Sequence, residues 1–562
     1  MRIKIVKSLP FDNLLSYTNY HMPSLGMARI YTHLKSKGFD ITQMDLLRTG
    51  IRASIVYPLI VRRIVGYLEN EERFREYLRS APASLKDKEL VFFVRRSDVA
   101  NVDVLLISVY TCPFSAVFGL MVAKFFKSLR PDGIVVLGGE WQQTSYVYER
   151  FGMYNALGIL DYFIFDAGEL PSEMLLGYLN DEPIERSEIP GLSYLDNGNV
   201  VNNNLTYVQR PFLPLFDGLD LKKYRWNGYR AVHERTRNTI EENADVFMLP
   251  VQNLSGCVNR CAFCGESETR CAGISPTEAV DNLEYLAQKY RTKFFFFMDN
   301  EINFSTKFLV AFCSEILKRN LDIFWTACAT VKGLDSEELF TLMRRAGACR
   351  LVYGLETGSQ RMLDYINKGV TLAQAERCLR WSSAAGIWTD LELISGMPFE
   401  TDTDVALTIR FLEKNRNYID TAWLNRFFLC LDSSMFNRPK QFGIKNINRL
   451  PVGVGANPIK DRRYYYSFDE IDGLGWDEKR KQIESAYSRI KTYLERNGLA
   501  TSYDTSEMNI LLLFLYSCRF DKKQIAEHVR KHRYRKKLKA VIRNSVLQLY
   551  KVVKYAPPWV AT

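Results

Sequence analysis

At 562 residues the chain is longer than one hydrophobic core supports, so two or three domains are expected. Hydrophobic residues at 47% and charged residues at 25% give the profile of an ordinary soluble globular protein. No run of about eighteen uncharged apolar residues occurs, which excludes a predicted membrane span. The N-terminal MRIKIVKSLPFDN turns polar too quickly for a secretory signal, so the cytoplasm is the expected compartment. Part of the net charge of +11 sits in KHRYRKKLKAVIR at 531–543, a basic helix that could meet nucleic acid, an acidic peptide or a membrane surface and is read first as a solvated face closing the last domain. Eleven cysteines in such a chain argue against a disulfide framework and make any clustered set a metal candidate.

The first half reads as a doubly wound α/β domain, Rossmann-like, over 1–184. Arg2–Lys7 alternates as a short strand, Leu25–Lys37 has helical spacing, and Phe39–Leu46 is a second strand after the helix-stopping Gly38. Residues 51–98 read as a helical insertion. Val102–Val109 is then a buried parallel strand, Phe114–Leu129 a helix, and Gly133–Leu137 a strand running into Gly138-Gly139. Asp161–Phe165 is a further strand, with Gly168-Glu169 at the head of the next helix. Ligands of such sheets sit beyond the strands' C-terminal ends. Residues 185–245, with Pro190, Asn197-Gly198, Pro211 and Pro214, read as an irregular linker carrying a small hairpin.

Strand–helix alternation resumes over 246–431. Predicted strands are Phe247–Asn253, Phe294–Met298, Ile323–Ala327, Arg350–Gly354, Thr389–Ile394 and Ala422–Leu429, a set that suits a partial β/α barrel with working residues on the C-terminal loops. The loop after the first of them carries Cys257, Cys261 and Cys264. Three thiolates at this spacing can hold three irons of a cubane cluster and leave the fourth iron open to a substrate. A structural zinc site wants four ligands, usually in paired halves. Cys271, seven residues on, is an available fourth thiol that nothing local positions. The remaining 432–562 reads as a mostly helical, aromatic-rich domain.

Cx3CxxC with an aromatic residue, Phe263, before the last cysteine resembles the signature of the radical S-adenosylmethionine (SAM) superfamily. That resemblance implies a 4Fe-4S cluster whose open iron is chelated by SAM, and reductive cleavage of SAM to methionine and a 5′-deoxyadenosyl radical. Three downstream segments fit it. Phe294–Asn300 resembles the second barrel strand, which places Asp299 and Asn300 at SAM's methionine moiety. Tyr353-Gly-Leu-Glu356-Thr-Gly-Ser359-Gln360 resembles the fourth-strand segment whose polar groups approach SAM. Leu393-Ile394-Ser-Gly396-Met-Pro398-Phe-Glu400 resembles the fifth-strand segment lying against adenine. The third strand departs from the pattern: Thr326-Ala-Cys328-Ala-Thr330 stands where members of this branch often carry Asn-x-Arg.

The N-terminal half resembles the cobalamin-binding domain of one large branch of that superfamily, class B methyltransferase-like. The matching pieces are Met22–Ala28, Ile107-Ser-Val-Tyr110, Val135-Val-Leu-Gly138-Gly139-Glu140 and Asp166-Ala-Gly168-Glu169. Glycines at strand–helix turns let the backbone approach a large or phosphate-bearing ligand. The Asp-x-His-x-x-Gly motif that supplies a histidine to cobalt is lacking, and none of the five histidines sits in such a context. Tyr110 or Thr111 is the candidate for cobalt's lower face, and His21 reads as a surface histidine.

With both cofactors, the resemblance implies a C-methyltransferase. Cobalamin takes a methyl group from one SAM, a second SAM supplies the radical, and an unactivated substrate carbon collects the methyl. The protein's task is then placement, with residues 432–562 closing the substrate side. A natural-product intermediate or a peptide is the expected substrate, and an external flavodoxin or ferredoxin the expected electron donor. Alternatives are a radical enzyme of another outcome (cyclisation, ring rearrangement or carbon–carbon coupling, with or without cobalamin) and a non-enzymatic iron–sulfur or cobalamin sensor. No catalytic side chain is assigned from sequence.

Overall fold

The computed structural model describes residues 1–9, 22–46, 51–80, 90–109, 112–139, 150–165, 167–204, 208–226, 246–450, 466–500 and 505–532. Five parallel strands build the first sheet: β1 (Arg2–Lys7), β2 (Asp40–Asp45), β3 (Val104–Ser108), β4 (Ile134–Gly139) and β5 (Tyr162–Phe165). Successive residues of each strand feed opposite faces, as the period of two requires. Val6, Leu105, Ile107, Val135 and Leu137 pack under the helix Cys112–Leu129 and the helices Ile51–Glu69 and Glu71–Arg79. Ile3, Ile5, Val104, Leu106 and Val136 pack under the helices Leu25–Ser36 and Glu169–Leu179. The near-continuous apolar strands seen in the sequence are thus buried on both sides.

Strand order is β2-β1-β3-β4-β5, so the winding reverses between β1 and β3, and a crevice opens there at the strands' C-terminal ends. The predicted hairpin is real but is not part of a linker. Its strands β6 (Leu192–Asp196) and β7 (Asn199–Asn202) turn at Asn197-Gly198 and extend the sheet to seven strands through antiparallel pairing of β6 with β5. The sheet therefore continues past residue 184.

The second sheet is the partial barrel. β8 (Leu249–Val251) is followed by a two-stranded ribbon, β9 (Leu254–Ser255) with β10 (Ala272–Gly273), and then by β11 (Phe294–Phe297), β12 (Phe324–Ala329), β13 (Ala348–Glu356), β14 (Trp388–Ser395) and β15 (Thr421–Arg426). The six barrel strands lie parallel in sequence order, all six near their predicted positions. Five outer helices begin at Ser275, Ser305, Ser336, Thr371 and Thr401, and each hydroxyl accepts the backbone N–H three residues on. Each such cap contributes about 1 kcal/mol and sets where its helix starts.

The C-terminal region does not close only one side. The hairpin β16 (Ile444–Arg449) with β17 (Tyr466–Glu470) and the helix Trp476–Arg496 pack beside the cysteine loop and β14–β15. The helix Thr505–Ser517 instead plugs the opposite end of the barrel, where its Leu511, Leu513, Phe514 and Tyr516 meet Phe294, Phe324, Cys349 and Trp388 at the strands' beginnings. The expectation that all of 432–562 covers the substrate side is corrected in that respect. The basic segment lies outside the described residues beyond His532. Among the described residues no helix is long and apolar enough to cross a membrane.

Candidate active site

The cysteine loop is a closed excursion at the C-terminal end of β8. The β9–β10 ribbon pins its two ends, and Gly256 (φ 79°) makes the closure possible: a Cβ there would lie 2.2 Å from the Arg270 carbonyl oxygen. Inside the loop, Cys264 N–H donates to Cys261 O (3.1 Å), Ser267 N–H to Cys264 O (3.1 Å) and Cys257 N–H to Thr269 Oγ1 (3.3 Å). Arg260 Nη1 ties the carbonyls of Cys257, Ser267 and Thr269 at 3.4, 3.1 and 3.3 Å. The loop is docked from outside as well, by Ala262 N–H to Ile366 O (2.8 Å) and Met435 N–H to Ala262 O (2.9 Å). The three thiols are therefore presented by a fixed backbone.

Cys261 is buried, Cys257 and Cys264 are half-buried, and Cys271 is exposed at the ribbon. Burial pushes the Cys257 thiol up to about 12 and Cys264 up to about 11, and raises Cys261 too. Without metal these groups keep their protons at neutral pH, and iron must displace them on binding. Glu266 N–H already points at Cys264 Sγ (3.4 Å), the kind of contact that tunes a cluster sulfur. Among the described residues no three His, Cys, Asp or Glu side chains converge on a single ion. A cubane asks for a different arrangement, one thiolate for each iron, and a three-thiol loop fits it.

The other expected residues fall around this loop in different ways. Asp299 is buried and its Oδ1 accepts from Asn253 N–H (2.8 Å) and Leu254 N–H (2.6 Å), clamping the loop's entry. Its Oδ2 and the Asn253 amide nitrogen have no hydrogen-bond partner among the described residues. Asn300 donates to Gly256 O (3.1 Å). Phe263 is half-buried beside the Cys264 it precedes. Glu356 ends β13 with φ 70°, a left-handed value that is costly for a side-chain-bearing residue. Ser359 is fully buried and its hydroxyl donates to Asp404 Oδ1 (2.6 Å), so it braces the segment from behind. Ile394 is half-buried at the end of β14. Gly396 (φ 85°) admits the helix Trp476–Arg496, since a Cβ there would lie 2.5 Å from Ile483 Cγ1.

Alternation along the barrel strands leaves Phe296, Cys328, Val352, Gly354, Glu392 and Ile394 part-exposed toward the interior. The sequence reading missed three chemically active groups here. Glu301 is buried and accepts from Cys257 Sγ (3.7 Å) and from the Asn259 amide. Lys368 pairs with Glu356 at 2.7 Å. Glu392 stands in the barrel interior. Glu301 lies one residue past the Phe294–Asn300 segment and is adjacent to it in sequence; Lys368 and Glu392 are brought in by the fold.

Desolvation pushes Asp299, Glu392 and Glu400 each up to about 7. An unfolded carboxyl titrates near 4, so between about 4 and 7 the folded chain holds protons that the unfolded chain has released. Stability then falls as pH rises through that window. The metal-free protein is accordingly expected to melt at lower temperature at pH 8 than at pH 6. Glu392→Gln should flatten the trend; a profile that is flat or rises toward pH 8 contradicts it. Unfolded cysteine thiols titrate at about 8.5 and begin to ionise only toward pH 8, where they add to the same downward trend; the share of the carboxyls is therefore read from the Glu392→Gln comparison.

Above the loop, the two sheets face one another across a cavity of about 940 Å3. From the first sheet it is lined by Lys7, Ser108, Val109, Gly138, Gly139, Gly168 and Glu169 and from the barrel side by Gln252, Gly256, Arg270, Met298 and Asn300, among others. Gly26, at the start of the helix Leu25–Ser36, has open space where a Cβ would stand, whereas at Gly138 a Cβ would press to 2.9 Å from Ile164 O. Gly168 serves packing: a Cβ there would lie 2.9 Å from Ile30 Cδ1. Glu169 pairs with Arg29 (2.7 Å), and Arg29 reaches across to Gln252 Oε1 (2.5 Å), joining the domains at the cavity. Tyr110, Thr111, Glu140, Asp166 and His21 lie outside the described residues.

Residues 254–412 match the radical SAM superfamily. An uncharacterized methyltransferase of Pyrococcus horikoshii is 27% identical over 300 residues, 52% of this chain and 60% of that protein. An anaerobic magnesium-protoporphyrin IX monomethyl ester cyclase of Rubrivivax gelatinosus is 33% identical over 149 residues, 26% of this chain and 27% of that protein. The chain thus spans less than two thirds of the curated relatives it matches. Among solved structures, the radical SAM methyltransferase TsrM of Kitasatospora setae, with cobalamin and a 4Fe-4S cluster bound, superposes with TM-score 0.59 at 15% identity, covering 95% of this chain and 100% of that one. The cobalamin-dependent SAM radical enzyme OxsB, with aqua-cobalamin and SAM bound, gives TM-score 0.58 at 15% identity, covering 97% and 81%. At such identity the likeness is one of fold.

Proposed function

We infer that this chain, whose residues 254–412 form a radical SAM domain, is an enzyme that uses a 4Fe-4S cluster, SAM and cobalamin to methylate an unactivated carbon. The observation that carries the reading is a cavity of about 940 Å3 lined together by C-terminal strand ends of the first sheet, by the ends of β8 and β11, and by the flanks of the cysteine loop at Gly256, Glu266 and Arg270. A chemistry that brings a corrinoid methyl group and a radical to one substrate carbon needs that juxtaposition. Bound there, the cluster would supply the electron that breaks SAM, and cobalamin the methyl group.

The chain's own residues divide the work. Cys257, Cys261 and Cys264 would hold the cluster, on a loop whose backbone is already fixed. The unpartnered Asp299 Oδ2 and Asn253 amide suit the polar end of SAM's methionine, with Glu356, Ile394 and the Gly396 turn on the nucleoside side. Open space at Gly26 and the place of Gly138-Gly139 in the cavity wall suit a corrinoid, with Tyr110, Thr111 and Glu140 as its further proposed neighbours. Ser108, Gly168 and the Arg29–Glu169 pair complete that wall. A natural-product intermediate or a peptide is the proposed substrate, a flavodoxin or ferredoxin the electron donor, and the reducing cytoplasm the compartment.

A second reading, a radical cyclisation or carbon–carbon coupling, is favoured by the match to the Rubrivivax cyclase. Anaerobically purified protein separates the two. Corrinoid absorbance together with S-adenosylhomocysteine and 5′-deoxyadenosine from SAM supports methyl transfer. 5′-Deoxyadenosine alone supports the second reading. Failure of the reduced, iron-loaded protein to cleave SAM would sink both and leave a sensor.

A further inference from the structure

Among the described residues, one largely enclosed ammonium stands among the acids around the cysteine loop. Lys368 follows the helix Gln360–Tyr365 in an Asn-Lys-Gly turn, with only 10% of its side chain exposed. Its Nζ donates to Glu356 Oε1 at 2.7 Å and lies 5.8 Å from the centroid of the Phe263 ring, next to Cys264. Gly354 makes room for the pair: a Cβ there would lie 2.7 Å from Glu356 Oε1 and 3.1 Å from Lys368 Nζ. Glu356 adopts its left-handed backbone at the same point. A strained residue and a strand glycine thus both serve one ion pair, which ordinary packing of a barrel does not require.

The turn that carries Lys368 is tied to the cysteine loop on both sides: Asn367 Nδ2 donates to Arg260 O (2.8 Å) and Ala262 N–H to Ile366 O (2.8 Å). Converting three thiols into thiolates adds negative charge to a half-buried loop that already contacts Glu301. Accumulated negative charge in a low-dielectric site opposes both ligand deprotonation and the arrival of an electron. Net charge and nearby polar groups are the levers by which a protein sets a cluster's potential.

We propose that Lys368, oriented by Glu356, is the charge-compensating positioning residue of the cluster site and raises the cluster's reduction potential. This rests on the cluster reading above. The test is an anaerobic redox titration followed by electron paramagnetic resonance, without SAM, on wild type, Lys368→Met and Lys368→Arg. The midpoint of Lys368→Met is expected to shift negative, with Lys368→Arg close to wild type. If Lys368→Met folds but holds no cluster while Lys368→Arg does, charge compensation is supported as well. An intact cluster with an unchanged midpoint in Lys368→Met overturns the proposal, as does equal loss of cluster in both variants, which would mean that the site needs the lysine's shape and not its charge. A wild-type protein without iron would instead refute the cluster reading itself.

Discussion

Replacing any one of Cys257, Cys261 and Cys264 by Ala is expected to abolish both the cluster's visible absorbance and reductive cleavage of SAM. The size of the effect follows from the ligand count. Three thiolates anchor three irons, and with two anchors a cubane is neither held nor shielded. Among the described residues the one further thiol on this segment, Cys271, is exposed beside the ribbon whereas Cys261 is buried and Cys257 and Cys264 are half-buried, so Cys271→Ala should retain iron, sulfide and activity. Geometry offers a second route to the same loss. Gly256→Val keeps all three thiols but drives a side chain into the Arg270 carbonyl, 2.2 Å from where its Cβ must stand. Iron and sulfide analysis of these variants should therefore group Gly256→Val with the three ligand replacements and Cys271→Ala with wild type. Iron retained in Cys261→Ala, or lost in Cys271→Ala, would show that a different set of side chains holds the metal.

Much of this fold is legible in the sequence because its signals are local. Val104–Ser108 and Ile134–Leu137 are short apolar runs bounded by turns, and a strand buried on both faces has that appearance wherever it occurs. The cysteine loop is legible because its ligands lie within eight residues on one turn-rich segment. What was not legible depends on long-range packing. Asn197-Gly198 announces a hairpin, but nothing in it says that β6 pairs with β5. Residues 432–562 read only as mostly helical, and which barrel end the helix Thr505–Ser517 covers is decided by Phe294, Phe324 and Trp388, each more than a hundred residues away. Lys368 and Glu356 are twelve residues apart with a helix between them, and only the fold brings the ammonium to the cluster loop. Ser359 is the converse case. The motif draws attention to its hydroxyl, whereas the structure turns that hydroxyl to Asp404 and leaves Glu356 at the strand end.

The barrel's far end yields the other large effect. Arg350 and Asp390 form a fully buried ion pair between β13 and β14, and Arg350 Nη1 also donates to Asn509 Oδ1 (2.6 Å) on the plugging helix. That network locks Thr505–Ser517 onto the strand beginnings, while the apolar contacts around Leu511–Tyr516 supply most of the burial. Arg350→Met keeps the side chain's bulk but strands the Asp390 carboxylate with no counter-charge, and removing one partner of a buried pair costs about 3–5 kcal/mol. For a unit of this size that corresponds to a fall in thermal midpoint on the order of 10 °C. The doubly apolar Arg350→Met/Asp390→Leu variant removes the stranded charge together with its partner, so it should recover most of the loss, because the penalty belongs to the unpaired ion and not to a missing attraction. Calorimetry of the two variants decides the matter. If the double variant is as unstable as the single one, the pair's hydrogen bonding to the plug, and not charge balance, is what the barrel end depends on.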